Sequence, residues 1–331
     1  MHETELCGIV TRSPIMARLL EDLWLFAPLT EPVLIQGETG TGKSLVARAL
    51  HTLSARRDEP FVTIECGALP ESLIESELFG HERGAFTGAD RAYPGRVEAA
   101  RGGTLFLDEV NSISLGTQGK LLRLLEEGEF CRVGQQRPIS IDVRVVAASN
   151  APMADLVAAG RMRADFYYRL NVLAITVPPL RERLEDVPAL VRHFLERDSL
   201  PRRCGVTAVA DTVIKELQVG TWPGNVRELF NVLRREVVLG GEGSVLEHIS
   251  LPGPPVPPPA AINASAPVGF RAWMKDRERE YLVDPMKRHS GTAQVVAVAG
   301  PSRADALPED QETRALLGRH ADRAVARCFG A

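Results

Sequence analysis

The chain has 331 residues, 44% of them hydrophobic and 25% charged, which is enough to bury a full core and, by length, suggests about two domains. Its 39 basic and 43 acidic residues leave a formal net charge of −4 with the signs mixed, which excludes a global polyanion-binding field, so any nucleic-acid contact has to be local. The N-terminus, MHETELCGIV, lacks the charged-then-apolar order of a signal peptide, and no apolar run nears the ~20 residues of a membrane span. Five scattered cysteines with no CxxC pair suit reduced thiols, so a cytoplasmic protein is expected.

In chain order, the first strong element is the β-branched run VLIQG at 33–37. It leads directly into Gly37-Glu38-Thr39-Gly40-Thr41-Gly42-Lys43-Ser44, a match to GxxxxGK[ST], and then into a helical pattern from Ser44 to Ala55. A strand before and a helix after are the context a phosphate-binding loop needs. Its glycines let successive backbone N–H groups converge on phosphates, Lys43 is placed to meet the β and γ oxygens, and the Ser44 hydroxyl can complete a Mg²⁺ shell.

FVTIEC at 61–66 reads as the next strand, and beyond it lies ERGAFTGA at 82–89. Here Phe86 and Thr87 stand among Gly84, Ala85, Gly88 and Ala89, an unusual setting for a ring, since a phosphate loop has no use for one and a plain turn favours Asn, Asp or Pro. TLFLDE at 104–109 is an apolar strand ending in two carboxylates and reads as a Walker B element: Asp108 to hold Mg²⁺, Glu109 to orient and deprotonate an attacking water. A helix is expected over Thr117–Glu127 and a strand over VRVVAAS at 143–149, which ends at Ser149-Asn150, where the Asn150 amide can sense a γ-phosphate. Arg163 and Arg169 flank the aromatic cluster in RADFYYRL, and LAITV at 173–177 supplies a fifth strand. The alternation predicts an α/β, doubly wound parallel sheet over residues 1–178.

After Pro178-Pro179 the pattern turns helical, with helices expected over Asp186–Arg197, Val209–Gln218 and Asn225–Leu239. Val226, Leu229, Phe230 and Leu233 share one face of the last of these, whose start also carries Arg227 in WPGNVREL. An α-helical subdomain over 179–250, a proline-rich linker over 251–267 and a separate region over 268–331 complete the expected organisation. For any single arginine named here, a surface salt bridge is the plain alternative to a role in phosphoryl transfer.

From GETGTGKS through ESELFGHERGAFTGA, GGTLFLDE, LLRLLEEGEFCRVG, FYYRLNV and VPPLRERLEDV to WPGNVREL, roughly residues 8–250, the chain resembles the AAA+ ATPase module of bacterial enhancer-binding proteins, the activators of sigma-54 RNA polymerase. That resemblance implies a P-loop domain with a five-stranded parallel sheet and a helical lid, ATP and Mg²⁺ as ligands, and a hexamer, of this chain alone or with a related activator. It implies that residues 84–89 contact the sigma-54 holoenzyme, that Glu109 is the catalytic glutamate, that Asn150 and Arg227 occupy the two sensor positions, and that Arg163 and Arg169 act as fingers in trans.

The sequence departs from the family pattern at three places. Glu65 stands where Asn usually precedes the Cys of an NCAAL-like segment, which predicts like charges at Glu65 and Glu109; Ser44 follows the P-loop lysine where Glu is usual, and Gln135 replaces a glycine after CRVG. The ATPase-like segment starts almost at residue 1, so no receiver or sensing domain is expected ahead of it in this sequence.

The tail REREYLVDPMKRHSGTAQVVAVAGPSRADAL resembles a factor-for-inversion-type helix-turn-helix, the family's means of holding upstream activating DNA. Its turn is short, Pro301 and Pro308 interrupt it, and residues 271–331 balance eleven basic against nine acidic side chains, so DNA binding and a degenerate helical appendage both stay open. Two other functions are consistent with parts of the sequence: a nucleotide-gated scaffold or co-activator subunit with little turnover, and another kind of AAA+ machine, which would have no use for GAFTGA.

Overall fold

The computed structural model describes residues 3–68, 70–239 and 244–249. The expected proline-rich linker and helix-turn-helix lie outside the described residues.

Five short apolar runs become the strands β1 (Val33–Gln36), β2 (Phe61–Glu65), β3 (Thr104–Asp108), β4 (Arg144–Ser149) and β5 (Leu173–Thr176). They form one parallel sheet in the order β5-β1-β4-β3-β2. Both faces are covered, which is why the strands read as continuous rather than alternating apolar runs. Val33, Ile35, Phe106 and Val146 point to one side, where they pack on α1 (Pro14–Phe26) and α2 (Lys43–Thr52). Leu34, Leu105, Leu107 and Val145 point to the other, against α3 (Glu71–Phe79), α4 (Leu115–Glu127) and α5 (Ala164–Leu170). The strand order places the C-terminal ends of β1, β3 and β4 side by side, the edge at which such sheets receive ligands.

Arg144, at the start of β4, is 1% exposed and donates through Nη1 to Ala27 O and through Nη2 to Phe26 O, both at 2.8 Å. These are carbonyls at the C-terminal end of α1, where helix geometry leaves the last C=O groups without intrahelical partners; Phe26 O also accepts from Leu29 N at 3.1 Å. Burial pulls the Arg144 pKa down to about 10.

The helical part has its own core, in which Leu180, Phe194, Leu217, Trp222 and Leu229 are buried together. It is built on α6 (Val187–Arg197), α7 (Asp211–Leu217) and α8 (Asn225–Leu239). Two helices begin later than the sequence pattern suggests. Asp186 closes a 3₁₀ turn before α6, and Val209 belongs to a two-residue strand paired with Val245–Leu246, so α7 starts at Asp211. Among the described residues, no helix is long and apolar enough to cross a membrane.

Candidate nucleotide site and loop

The loop after β1 turns at Gly40 and Gly42, both at positive φ, and runs into α2 at Lys43. Lys43 is 8% exposed and donates through Nζ to Gly37 O at 2.8 Å and Glu38 O at 2.9 Å, folding back over the loop it ends. Burial lowers its pKa, opposed by the charges of Asp108 and Glu109. Ser44 donates through Oγ to Asp108 Oδ2 at 3.1 Å, joining the end of β1 to the end of β3. With Thr39, Gly40 and Gly42 these groups line a cleft of about 310 Å³ that Glu109 also faces. That volume lies at the small end of ligand pockets, which start at about 300 Å³.

Glu109 has φ +53°, left-handed and uncommon for a residue with a side chain, a form of strain that concentrates at functional sites. Its backbone N–H donates to Asp108 Oδ1 at 3.0 Å. Its carboxylate accepts from Asn150 Nδ2 at 3.3 Å and rests against Gly67, at which a Cβ would collide with Glu109 Oε2. Asn150 therefore reaches the site through Glu109. Glu65 pairs in register with Asp108 on the neighbouring strand and is exposed, while the Glu109 carboxylate is engaged by Asn150 and rests against Gly67. Next to it Cys66 is buried, and burial followed by the charges of Asp108 and Glu109 pushes its thiol up to about 12.

The far wall of the cleft is α8, which offers Val226, Arg227, Phe230 and Arg234. The apolar stripe foreseen on this helix is thus divided. Leu229 and Leu233 are fully buried in the lid core, whereas Val226 and Phe230 are only partly buried and also face the cleft. Arg163 and Arg169 do not line the cleft. Arg163 forks onto Asp165 through Nε at 3.0 Å and Nη2 at 2.7 Å, and Arg169 donates to Leu125 O at 3.0 and 3.1 Å, both from exposed positions.

Several polar contacts that no motif announced tie the loop to the helical part. Glu38 accepts a fork from Arg181 at 2.6 and 2.8 Å, and Arg183 donates to Thr41 O at 2.8 Å. Asn225 is buried at φ +54°, accepts from Leu180 N at 2.7 Å, and donates to Thr39 O at 3.0 Å and to Glu38 Oε2 at 3.2 Å. The Arg181 fork, then Asn225, holds the Glu38 carboxyl at a pKa of about 2.

The ERGAFTGA segment forms a tight exposed turn away from these groups. Gly84 and Gly88 have φ +82° and +98°, a region glycine enters without steric cost, and Gly84 N donates to Ala89 O at 2.8 Å across the turn. Phe86 is 42% exposed and sets its ring edge-on to His81 at 4.9 Å, while His81 Nδ1 lies 2.7 Å from Ser76 Oγ of α3. Thr87 is exposed and Ala89 buried. The turn is braced from outside by Arg132, which joins Glu82 and Glu98 at 2.9 Å each.

A parallel sheet in this order, with a P-loop after β1, two carboxylates at the end of β3, and a helical lid closing over the cleft, defines an AAA+ P-loop domain. Comparison with known proteins gives the particular family. The chain belongs to the family described as the sigma-54 interaction domain, matched over residues 9–176, and continues into an AAA+ ATPase lid domain over residues 181–254.

It is 53% identical over 232 residues to the transcriptional regulatory protein ZraR of Salmonella typhimurium, covering 70% of this chain and 53% of that protein. It is 48% identical over 238 residues to a Nif-specific regulatory protein of Azospirillum lipoferum, covering 72% and 38% respectively. The chain thus spans about half the length, or less, of these curated relatives. Among solved structures, NtrX from Brucella abortus in complex with ATP superposes with a TM-score of 0.67 at 32% identity, covering 88% of this chain and 66% of that one.

Proposed function

We propose that this chain is an ATP-hydrolysing motor that remodels the sigma-54 RNA polymerase holoenzyme, with residues 1–178 as the ATPase part and 179–250 as its lid. The observation that carries the proposal is the separation of two sites on one domain: Lys43, Ser44, Asp108 and Glu109 gathered in the cleft, and Phe86 with Thr87 presented on a glycine-bounded turn elsewhere.

The Ser44 hydroxyl and the Asp108 carboxylate, 3.1 Å apart on the cleft wall, are hard oxygen donors that fit a Mg²⁺ ion holding the rest of its shell from phosphates and water. Bound there, Mg²⁺ would supply neutralisation of charge on the β- and γ-phosphate oxygens. The chain's own groups do the rest. The turn from Gly37 to Gly42 aims backbone N–H groups at the phosphates, and Lys43 leaves its two carbonyl partners to meet their oxygens. Glu109 orients the attacking water and takes its proton, while Asn150, holding the Glu109 carboxylate, reports whether the γ-phosphate is in place. Arg227 meets charge from the lid side. Arg163 and Arg169, exposed and away from their own cleft, act on the cleft of an adjacent copy in a hexamer or mixed oligomer.

Thr87→Ala tests the division of labour, because Thr87 touches none of the cleft. Purified protein carrying it keeps ATP hydrolysis within about twofold and loses open-complex formation on a sigma-54 promoter template. Equal loss of both activities would show that the turn shapes the ATPase site, and an unsubstituted protein that hydrolyses ATP without ever supporting open complexes would overturn the function itself.

A further inference from the structure

Three successive carbonyls of the P-loop are satisfied by the lid. Asn225 Nδ2 donates to Thr39 O at 3.0 Å, the backbone N–H of Arg227 to Gly40 O at 3.3 Å, and Arg183 Nη2 to Thr41 O at 2.8 Å. A peptide unit is planar, so a carbonyl fixed toward the lid turns the N–H on its far side away from it, which for Gly40 and Gly42 is the side of the cleft they line; Thr41 N instead donates to Glu38 O at 3.4 Å within the loop. The P-loop side chain of Glu38 is taken by the same layer, through Arg181 and Asn225. Asn225 is the centre of the contact. It is fully buried, holds a left-handed backbone, and bonds the lid's own Leu180 N–H with its Oδ1 while its Nδ2 reaches across to the loop.

We propose that Asn225 is a positioning residue for nucleotide: with Arg181 and Glu38 it forms a lid-to-loop clamp that presets the phosphate-binding N–H groups, so that lid position and phosphate affinity change together. The inference rests on reading the cleft as a nucleotide site. It assigns phosphate affinity to residues 143 and 187 positions from Glu38, outside the loop itself. A clamp made before the ligand arrives lowers the ordering cost of binding. Release of the lid would return those carbonyls to water and loosen the anion cradle.

The clamp can be tested by equilibrium binding of a fluorescent ADP to the full chain, with thermal midpoints recorded in parallel. Asn225→Asp keeps the left-handed backbone and the acceptor for Leu180 N–H, but sets an acceptor against Glu38 and Thr39 O. Arg181→Gln removes the fork from an exposed position and leaves the core untouched. Asn225→Asp is expected to weaken ADP binding about tenfold, the scale of a buried charge-assisted hydrogen bond, and Arg181→Gln about threefold, because its pair with Glu38 is exposed and screened. Because Asn225 is buried, the decisive variant is the double Asn225→Asp, Glu38→Gln, which restores a donor facing an acceptor at position 38 and leaves one oxygen there for Arg181, while Thr39 O stays unmatched; it is expected to bind ADP at least about twofold tighter than Asn225→Asp.

ADP affinity unchanged in both single variants would overturn the clamp. So would a double variant no better than Asn225→Asp, since damage to the lid core alone is blind to which side carries the donor. If the unsubstituted chain bound neither ADP nor ATP, the assignment of the cleft would fall, a result distinct from tight binding that ignores the substitutions.

Discussion

Gly67→Ala isolates the seat of Glu109. Gly67 does not have the left-handed backbone that favours glycine, so the substitution tests space alone. A Cβ there falls on Glu109 Oε2, with Glu109 Cδ at 3.3 Å and Ser112 Oγ at 3.4 Å, so the carboxylate has to swing off its seat and away from the 3.3 Å bond with Asn150. In the proposed reaction Glu109 is the general base, a contribution worth about 10²–10⁴ in rate, and a misplacement of about 1 Å costs about 10².

The expected result is a fall in kcat of about 100-fold, measured as phosphate release at saturating ATP, with ADP affinity unchanged within about twofold because Lys43, Ser44 and the loop carbonyls are not touched. Glu109→Gln measured beside it sets the floor. Turnover in Gly67→Ala within twofold of the unsubstituted protein would refute the argument that this contact positions the base. A matching loss of affinity would refute it differently, by showing that the methyl group disturbs the whole cleft.

Mixing experiments address the arginines: Arg163→Ala and Arg169→Ala proteins, each inactive alone, are expected to recover part of their turnover when mixed with Glu109→Gln subunits, and no recovery in phosphate release would place their action in cis. The Glu38 contact has a pH signature. The folded carboxyl, at about 2, lies below its ordinary 4.5, so its contribution to stability is fully present above about pH 4.5 and is lost as pH falls toward 2. Thermal midpoints of the native protein and of Glu38→Gln should therefore differ by a constant amount from pH 8 to 5 and converge below pH 4.5; a gap that changed near neutrality would point to another group. The gap itself is small, since the Glu38 side chain is 43% exposed and screened.

The sheet and the phosphate loop were legible because their signals are local. β-branched runs of four to six residues have few other fates, and GxxxxGK[ST] encodes one backbone shape within eight residues. The contacts of the site were less so. Glu38 fills a position the motif leaves free, and its partners lie far along the chain. Asn225 reads in sequence as an ordinary residue at the start of a helix, and only the fold reveals the left-handed backbone that turns its amide onto the loop. The stripe on α8 misled for a related reason. Periodicity marks Val226 and Phe230 as apolar and facing inward, but the inside they face includes a cleft as well as a core.

The contact between Glu109 and Gly67 also bears on how the two proposed sites communicate. Residues 66–68 join β2 to the segment that enters α3, and α3 runs unbroken from Glu71 to Phe79, ending at Gly80 and His81, the base of the exposed turn. At that base Ser76 holds His81, and His81 supports the ring of Phe86. Under the proposed function, a carboxylate that shifted with the state of the phosphates would bear on a backbone leading through nine helical residues to the ring, and a helix of that length moves as a rod more readily than it bends. The two glycines of the turn would take up such a change at its far end, while Arg132, bonded to Glu82 and Glu98, would limit how far the base could follow. On this reasoning Phe86 would amplify a displacement that began with one carboxylate, and the restraint that would set its range, Arg132, lies outside the turn.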